Sequence, residues 1–146
     1  MVQTKETICT AAGIVGAAIA SLFGGWNAAM TTLLTLMAID YASGLVCAGV
    51  FHKSQKSPNG ALESKACFKG LVRKCMILVL VLVAYRLDLA MGTTYVKDAV
   101  CIAFTASESI SIVENAGLMG VPVPQVIINA IDVLKHTSKR KDDNNG

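Results

Sequence analysis

Met76-Ile77-Leu78-Val79-Leu80-Val81-Leu82-Val83 is an unbroken aliphatic run, and its reading decides the fold. Alone it fits a buried strand or a buried helix segment, because periodicity does not separate the two in short apolar runs. The flanks settle the matter. Apolar residues continue on both sides, from about Leu71 to Met91. That length predicts a helix able to cross a bilayer, where roughly 20 residues span the hydrocarbon. Arg86 and Asp88 stand near its far end and are expected to pair there.

Three further segments of similar length surround it. Ala28 to Phe51 precedes it and carries one acid, Asp40, near its middle. An ionisable residue at that depth is costly, so it marks either a functional group or a hydrogen-bonded group that fixes helix packing. Ile8 to Gly24 has no charge and bears small residues at every fourth position: Ala12, Gly16, Ala20 and Gly24. Gly13, Ala17, Ser21 and Gly25 form a neighbouring row. Such rows let another backbone approach closely in lipid. Gly44 is a further packing position in the second segment. Gly24-Gly25-Trp26-Asn27 reads as a tight turn, with Trp26 suited to the membrane interface. Lys5 ahead of the first apolar stretch resembles a signal peptide, but Glu6 sits beside it and a second apolar segment follows at once. The stretch is expected to be a retained helix.

The fourth segment, Tyr95 to Met119, is more polar. On a helical projection Ile102, Ala106, Ile110 and Val113 take one side, and Glu108, Ser111, Glu114 and Asn115 the other. The polar side has three possible destinations: the bundle interior, an aqueous lumen or a partner subunit. A helix that inserts only after a conformational change is equally compatible. Gly117, Gly120, Pro122 and Pro124 then end the segment. A short amphipathic helix is predicted over 124–136, with Ile127, Ile128, Ile131 and Leu134 on one face. Residues 138–146 are charged and Asn-rich and are expected to be disordered. The whole reads as one all-α membrane domain over 1–137, with spans near 8–24, 28–51, 71–91 and 95–119. A three-span arrangement is the alternative.

Composition agrees. Hydrophobic residues make up 53% of the chain and charged residues 16%, against about 25% charged in an average soluble domain. The formal charge of +3 is unevenly placed. Lys53, Lys56, Lys65, Lys69, Arg73 and Lys74 cluster before the third segment, and Lys135, Lys139, Arg140 and Lys141 near the end. The positive-inside rule puts both clusters, and with four spans both termini, in the cytoplasm. Lys69, Arg73 and Lys74 are expected to anchor that boundary by snorkelling to headgroups. No soluble basic fold is readable, so nucleic acid is not an expected partner.

No catalytic, metal or cofactor site is expected. The five cysteines show neither a disulfide frame nor zinc spacing. His52 and His136 are isolated. Glu108 and Glu114 lie about 9 Å apart along a helix axis and point differently, unlike an acid–base pair.

Three linked stretches carry a family resemblance. They are Asp40-Tyr41-Ala42-Ser43-Gly44, then Ser64 to Lys74, then Ser107-Glu108-Ser109-Ile110-Ser111-Ile112-Val113-Glu114-Asn115 followed by Gly120-Val121-Pro122-Val123-Pro124. In this order and spacing, over about Ala28 to Leu134, the chain resembles a bacteriophage holin family that also contains clostridial toxin-secretion proteins. The resemblance implies a protein without enzymatic activity that accumulates in the bacterial inner membrane and forms homo-oligomers. It implies lesions that let a cell-wall hydrolase, or a large toxin, leave the cell. Asp40, Glu108, Ser111, Glu114 and Asn115 are the candidate lumen or trigger residues, and Gly13, Gly16, Ala17, Ala20, Gly24 and Gly44 the candidate packing positions. A small proton-coupled transporter using Asp40 or Glu108, and a membrane scaffold recruiting a partner through the basic loop, are the rival functions.

Overall fold

The computed structural model describes residues 2–143, except the side chains of residues 138, 139 and 141–143. Five helices make up the described residues, with no strand: α1 (Val2–Leu22), α2 (Ala28–Gly49), α3 (Ser64–Met91), α4 (Val96–Leu118) and α5 (Gln125–Asp143). Three boundaries differ from expectation. α1 begins at Val2, not near Ile8, since no Gly or Pro interrupts residues 2–7. α3 begins at Ser64, not near Leu71, because Lys65, Ala66, Lys69, Leu71, Arg73 and Lys74 are good helix formers and no Pro interrupts the stretch. The helix therefore takes in the second half of what reads as a basic loop. α5 continues past 136 to Asp143, since no Gly or Pro interrupts it. The stretch expected to be disordered thus begins in helix, and residues 144–146 lie outside the described residues.

α2, α3 and α4 form the core, with α4 at its centre. α4 packs most extensively on α2 and also contacts α3 and α5, whereas α2 and α3 share a short seam. Phe23, Met30, Leu33, Met37, Ile77, Val81 and Cys101 make the buried apolar cluster. On α2 the buried positions Met30, Leu33, Met37, Asp40 and Cys47 follow three-and-four spacing. On α3, Ile77, Val81, Ala84 and Asp88 do the same. This is the spacing of an antiparallel bundle seam.

The surface is turned inside out. Leu71, Val72, Met76, Val79, Leu80, Val83 and Leu87 of α3 are exposed, as are Ile39 and Val46 of α2. Asp40, Asp88, Lys97, Thr105, Glu108 and Asn115 are buried. Water does not favour that distribution, and a bilayer does. α1 and α2 are long and apolar enough to cross a membrane. α3 and α4 carry more charge, at Lys65, Lys69, Arg73, Lys74, Arg86 and Asp88 of α3 and at Lys97, Asp98, Glu108 and Glu114 of α4.

α1 stands almost free of the bundle. Its 21 residues extend about 32 Å at 1.5 Å per residue, close to the hydrocarbon thickness. Gly13 and Gly16 have open space around them, and Ala17 is exposed. Only the C-terminal end engages, where Ala20 and Phe23 are buried. Asn27 then caps α2, its side-chain oxygen accepting from the Met30 amide at 2.9 Å. Gly24 in this turn has φ +73°, and a Cβ there would meet the Tyr85 ring. Gly24→Ala is therefore expected to cost about 1–3 kcal/mol. Gly25→Ala, at φ +86° with open space around it, should cost less. Thermal unfolding in detergent checks this, and equal costs would contradict the Tyr85 contact.

Candidate functional site

Lys74 of α3 joins carboxylates from the two helices on either side. Its ammonium donates to Asp40 Oδ2 of α2 at 2.7 Å and also to Glu108 Oε2 of α4. The side chains of Asp40 and Glu108 are 6% and 8% exposed, and that of Lys74 13%. Lys56 reaches in from the α2–α3 connection. Its Nζ lies 3.7 Å from Asp40 Oδ1 and donates to Ser111 Oγ at 3.3 Å. Asn115 Nδ2 donates to Ser43 Oγ at 2.9 Å and to Asp40 Oδ1 at 3.4 Å. Two cations thus face two carboxylates, and among the described residues no buried side-chain nitrogen or oxygen lacks a partner. Charges taken out of water need such full pairing.

Asp40, Glu108, Ser111 and Asn115 therefore come together. Glu114 does not join them and lies exposed on the outer side of α4. Neighbours on a helix point about 100° apart, so Asn115 turns inward while Glu114 turns out. The simple two-sided division of α4 fails for the same reason. Ala106 is buried as deeply as Glu108, because α4 is surrounded by α2, α3 and α5. Gly44 sits beside the network, where an added Cβ would lie 3.8 Å from both Asn115 Nδ2 and Lys56 Nζ. Lys69 and Arg73 are exposed, whereas Lys74, expected beside them as a headgroup anchor, is drawn into the bundle. It stands three residues before Ile77, in register with the seam of α3. That register is the signal in the sequence that places Lys74 inside.

A second polar layer closes the opposite end of the bundle. Asp88 accepts from Thr93 Oγ1 at 2.6 Å and from the amides of Val96 and Lys97 at 3.0 and 2.8 Å. It caps the first turn of α4 and does not pair with Arg86, which is exposed. Residues two apart on a helix do not face each other. Lys97 is 5% exposed. Its ammonium donates to the carbonyls of Phe23 and Gly25 and sits 5.5 Å from the centre of the Tyr85 ring. Asn27 Nδ2 donates to Asp98 Oδ1 at 2.9 Å. Sequence reasoning missed Lys97 because it lies just past a turn. Its seam spacing with Cys101, Thr105 and Glu108 was the available signal.

Apolar exterior, polar layers at both ends of a helical bundle, and two span-length helices define a membrane protein of the helical-bundle class. The chain belongs to the bacteriophage holin family, whose model matches residues 17–136. It is similar to a probable holin of Bacillus phage phi105, 30% identical over 110 residues, covering 75% of this chain and 76% of that one. It is also similar to an uncharacterised protein of Halalkalibacterium halodurans, 36% identical over 130 residues, covering 85% of this chain and 90% of that one. An uncharacterised Listeria innocua protein is 39% identical over 117 residues, covering 80% and 78%. No solved structure matches the chain.

Proposed function

We propose that this chain oligomerises in the bacterial inner membrane and opens lesions through which a cell-wall hydrolase, or a large toxin, leaves the cytoplasm. The protein acts without catalysing a reaction. Four spans, α1 to α4, put both termini and the basic α2–α3 connection in the cytoplasm. The observation that carries this reading is the ion network of Lys74, Asp40 and Glu108 inside a membrane protein of the holin family. Closed, it lets polar helix faces lie inside one protomer. Opened, it supplies polar faces that can line water between many protomers. The uncovered small-residue face of α1, with Gly13, Gly16 and Ala17, supports close contact between copies.

Charges within the membrane field feel about 2.3 kcal/mol each per 100 mV. Asp40, Glu108 and Glu114 are thus the groups through which assembly senses membrane potential or protonation. Asp40→Asn, Glu108→Gln and Glu114→Gln should each shift the time at which induced cells lose their potential, read with a potential-sensitive dye. Unchanged timing in all three would remove these acids from the trigger. Asp40 and Glu108 also line a cavity of about 270 Å³, which favours a second reading, a proton-coupled transporter. Its expression would confer uptake or resistance, whereas a holin stops respiration abruptly. A scaffold would do neither when expressed alone.

A further inference from the structure

A cavity of about 270 Å³ lies under the α2–α3 connection, at the Lys69 end of α3. Its floor is the ion network, where Asp40 and Glu108 already hold Lys56 and Lys74. Its walls include the apolar residues Leu45, Ala48, Leu62 and Ala66. Lys69 and Arg73 line it as well, together with one acid, Glu63. The two cations are one helical turn apart on α3, and among the described ion pairs neither has a carboxylate within 4.0 Å. The neighbouring surface of α3, at Leu71 and Val72, is exposed and apolar.

We propose that this cavity binds one anionic phospholipid per protomer, with its phosphodiester on Lys69 and Arg73 and the start of an acyl chain along the apolar walls. The floor contributes little to anion binding, because its cations are already neutralised. The free positive charge is therefore at the rim. Arginine takes a phosphate through two parallel N–H donors, and a nearby lysine adds a point charge. A free phosphate would satisfy the rim and leave the walls uncovered. An amphiphile satisfies both. The volume is below the roughly 300–1,000 Å³ of drug-sized pockets, so it accepts a headgroup region and not a whole lipid. The site rests on the proposed orientation, which sets this end of α3 at the cytoplasmic headgroup level.

The test is native mass spectrometry of the full chain released from neutral detergent, with phosphatidylglycerol, phosphatidylcholine or inorganic phosphate added. The expected result is one retained phosphatidylglycerol per protomer at concentrations where phosphatidylcholine is lost. Lys69→Gln with Arg73→Gln should weaken retention by about tenfold or more. Leu62→Glu, on an exposed wall residue, should weaken it too. Lys53→Gln with Lys65→Gln removes the same charge from exposed residues outside the cavity and should leave retention unchanged. Equal retention of phosphatidylcholine would overturn the site, as would equal loss in the Lys53 and Lys65 pair. Retention of inorganic phosphate in place of lipid would overturn the lipid assignment. The readout does not depend on lesions. A chain that binds phosphatidylglycerol selectively but never lyses cells keeps the site and loses the holin function, and the reverse result does the opposite.

Discussion

Lys74→Met should destabilise the folded protomer by about 3–5 kcal/mol, the cost of removing one partner from a buried ion pair. Met keeps most of the stem volume, so the loss falls on charge and not on packing. Asp40 and Glu108 would then face the same site without the ammonium that bridges them. Lys56, whose side chain is 52% exposed, pairs with Asp40 and not with Glu108. Unfolding in mixed micelles measures the effect. The combined variant Asp40→Asn, Lys74→Met, Glu108→Gln should recover most of the stability, because no buried charge is left alone. A single variant as stable as the parent would contradict the network, and so would a combined variant as unstable as the single one. The same combined variant has functional value. It should fold and reach the membrane, yet lose its timing, if the network is the trigger.

Lys97→Met should free the joint between α1 and the bundle. Its ammonium serves two carbonyls, those of Phe23 and Gly25, at the point where the chain turns from α1 into α2. Hydrogen bonds to charged groups are worth about 1.5–3 kcal/mol each, and losing this contact is expected to cost about 3 kcal/mol locally. That corresponds to roughly a hundredfold faster amide exchange in the turn from Phe23 to Asn27. Exchange around Ile77 and Val81 should stay close to that of the parent, because their amides are bonded within α3 and not to Lys97. Unchanged exchange in the turn would show that Lys97 does not hold α1. The position matters because α1 has almost no other hold on the protomer. A helix joined at one end is free to meet a second copy.

Much of this architecture is legible in the sequence, and what escapes has a physical cause. Apolar length marks α1 and α2 directly, and the Gly and Pro residues after Leu118 mark the end of α4. Asp40 and Glu108 attract notice as acids in apolar surroundings. Their partner does not, because Lys74 reads as one more cation in a basic cluster. Only the seam register of α3 distinguishes it from Arg73 beside it. Glu114 reads like Glu108 but faces outward, since helical projection assigns direction without knowing that α4 is enclosed by three neighbours. Arg86 and Asp88 read as a pair by proximity in the chain. The carboxylate instead satisfies the amides that begin α4, donors that every helix start leaves unpaired. Seam spacing marks Lys97 as an inward position, but nothing local in the sequence names the Phe23 carbonyl as its partner.

As proposed, this member of the holin family opens the inner membrane to a cytoplasmic hydrolase. Co-expression with an endolysin that lacks any export signal tests it most directly, with culture turbidity as the readout and the chain verified in the inner-membrane fraction. Abrupt lysis after a lag, requiring both proteins, is expected, while the endolysin alone leaves growth unaffected. Continued growth with both proteins present and the chain in the membrane would contradict it.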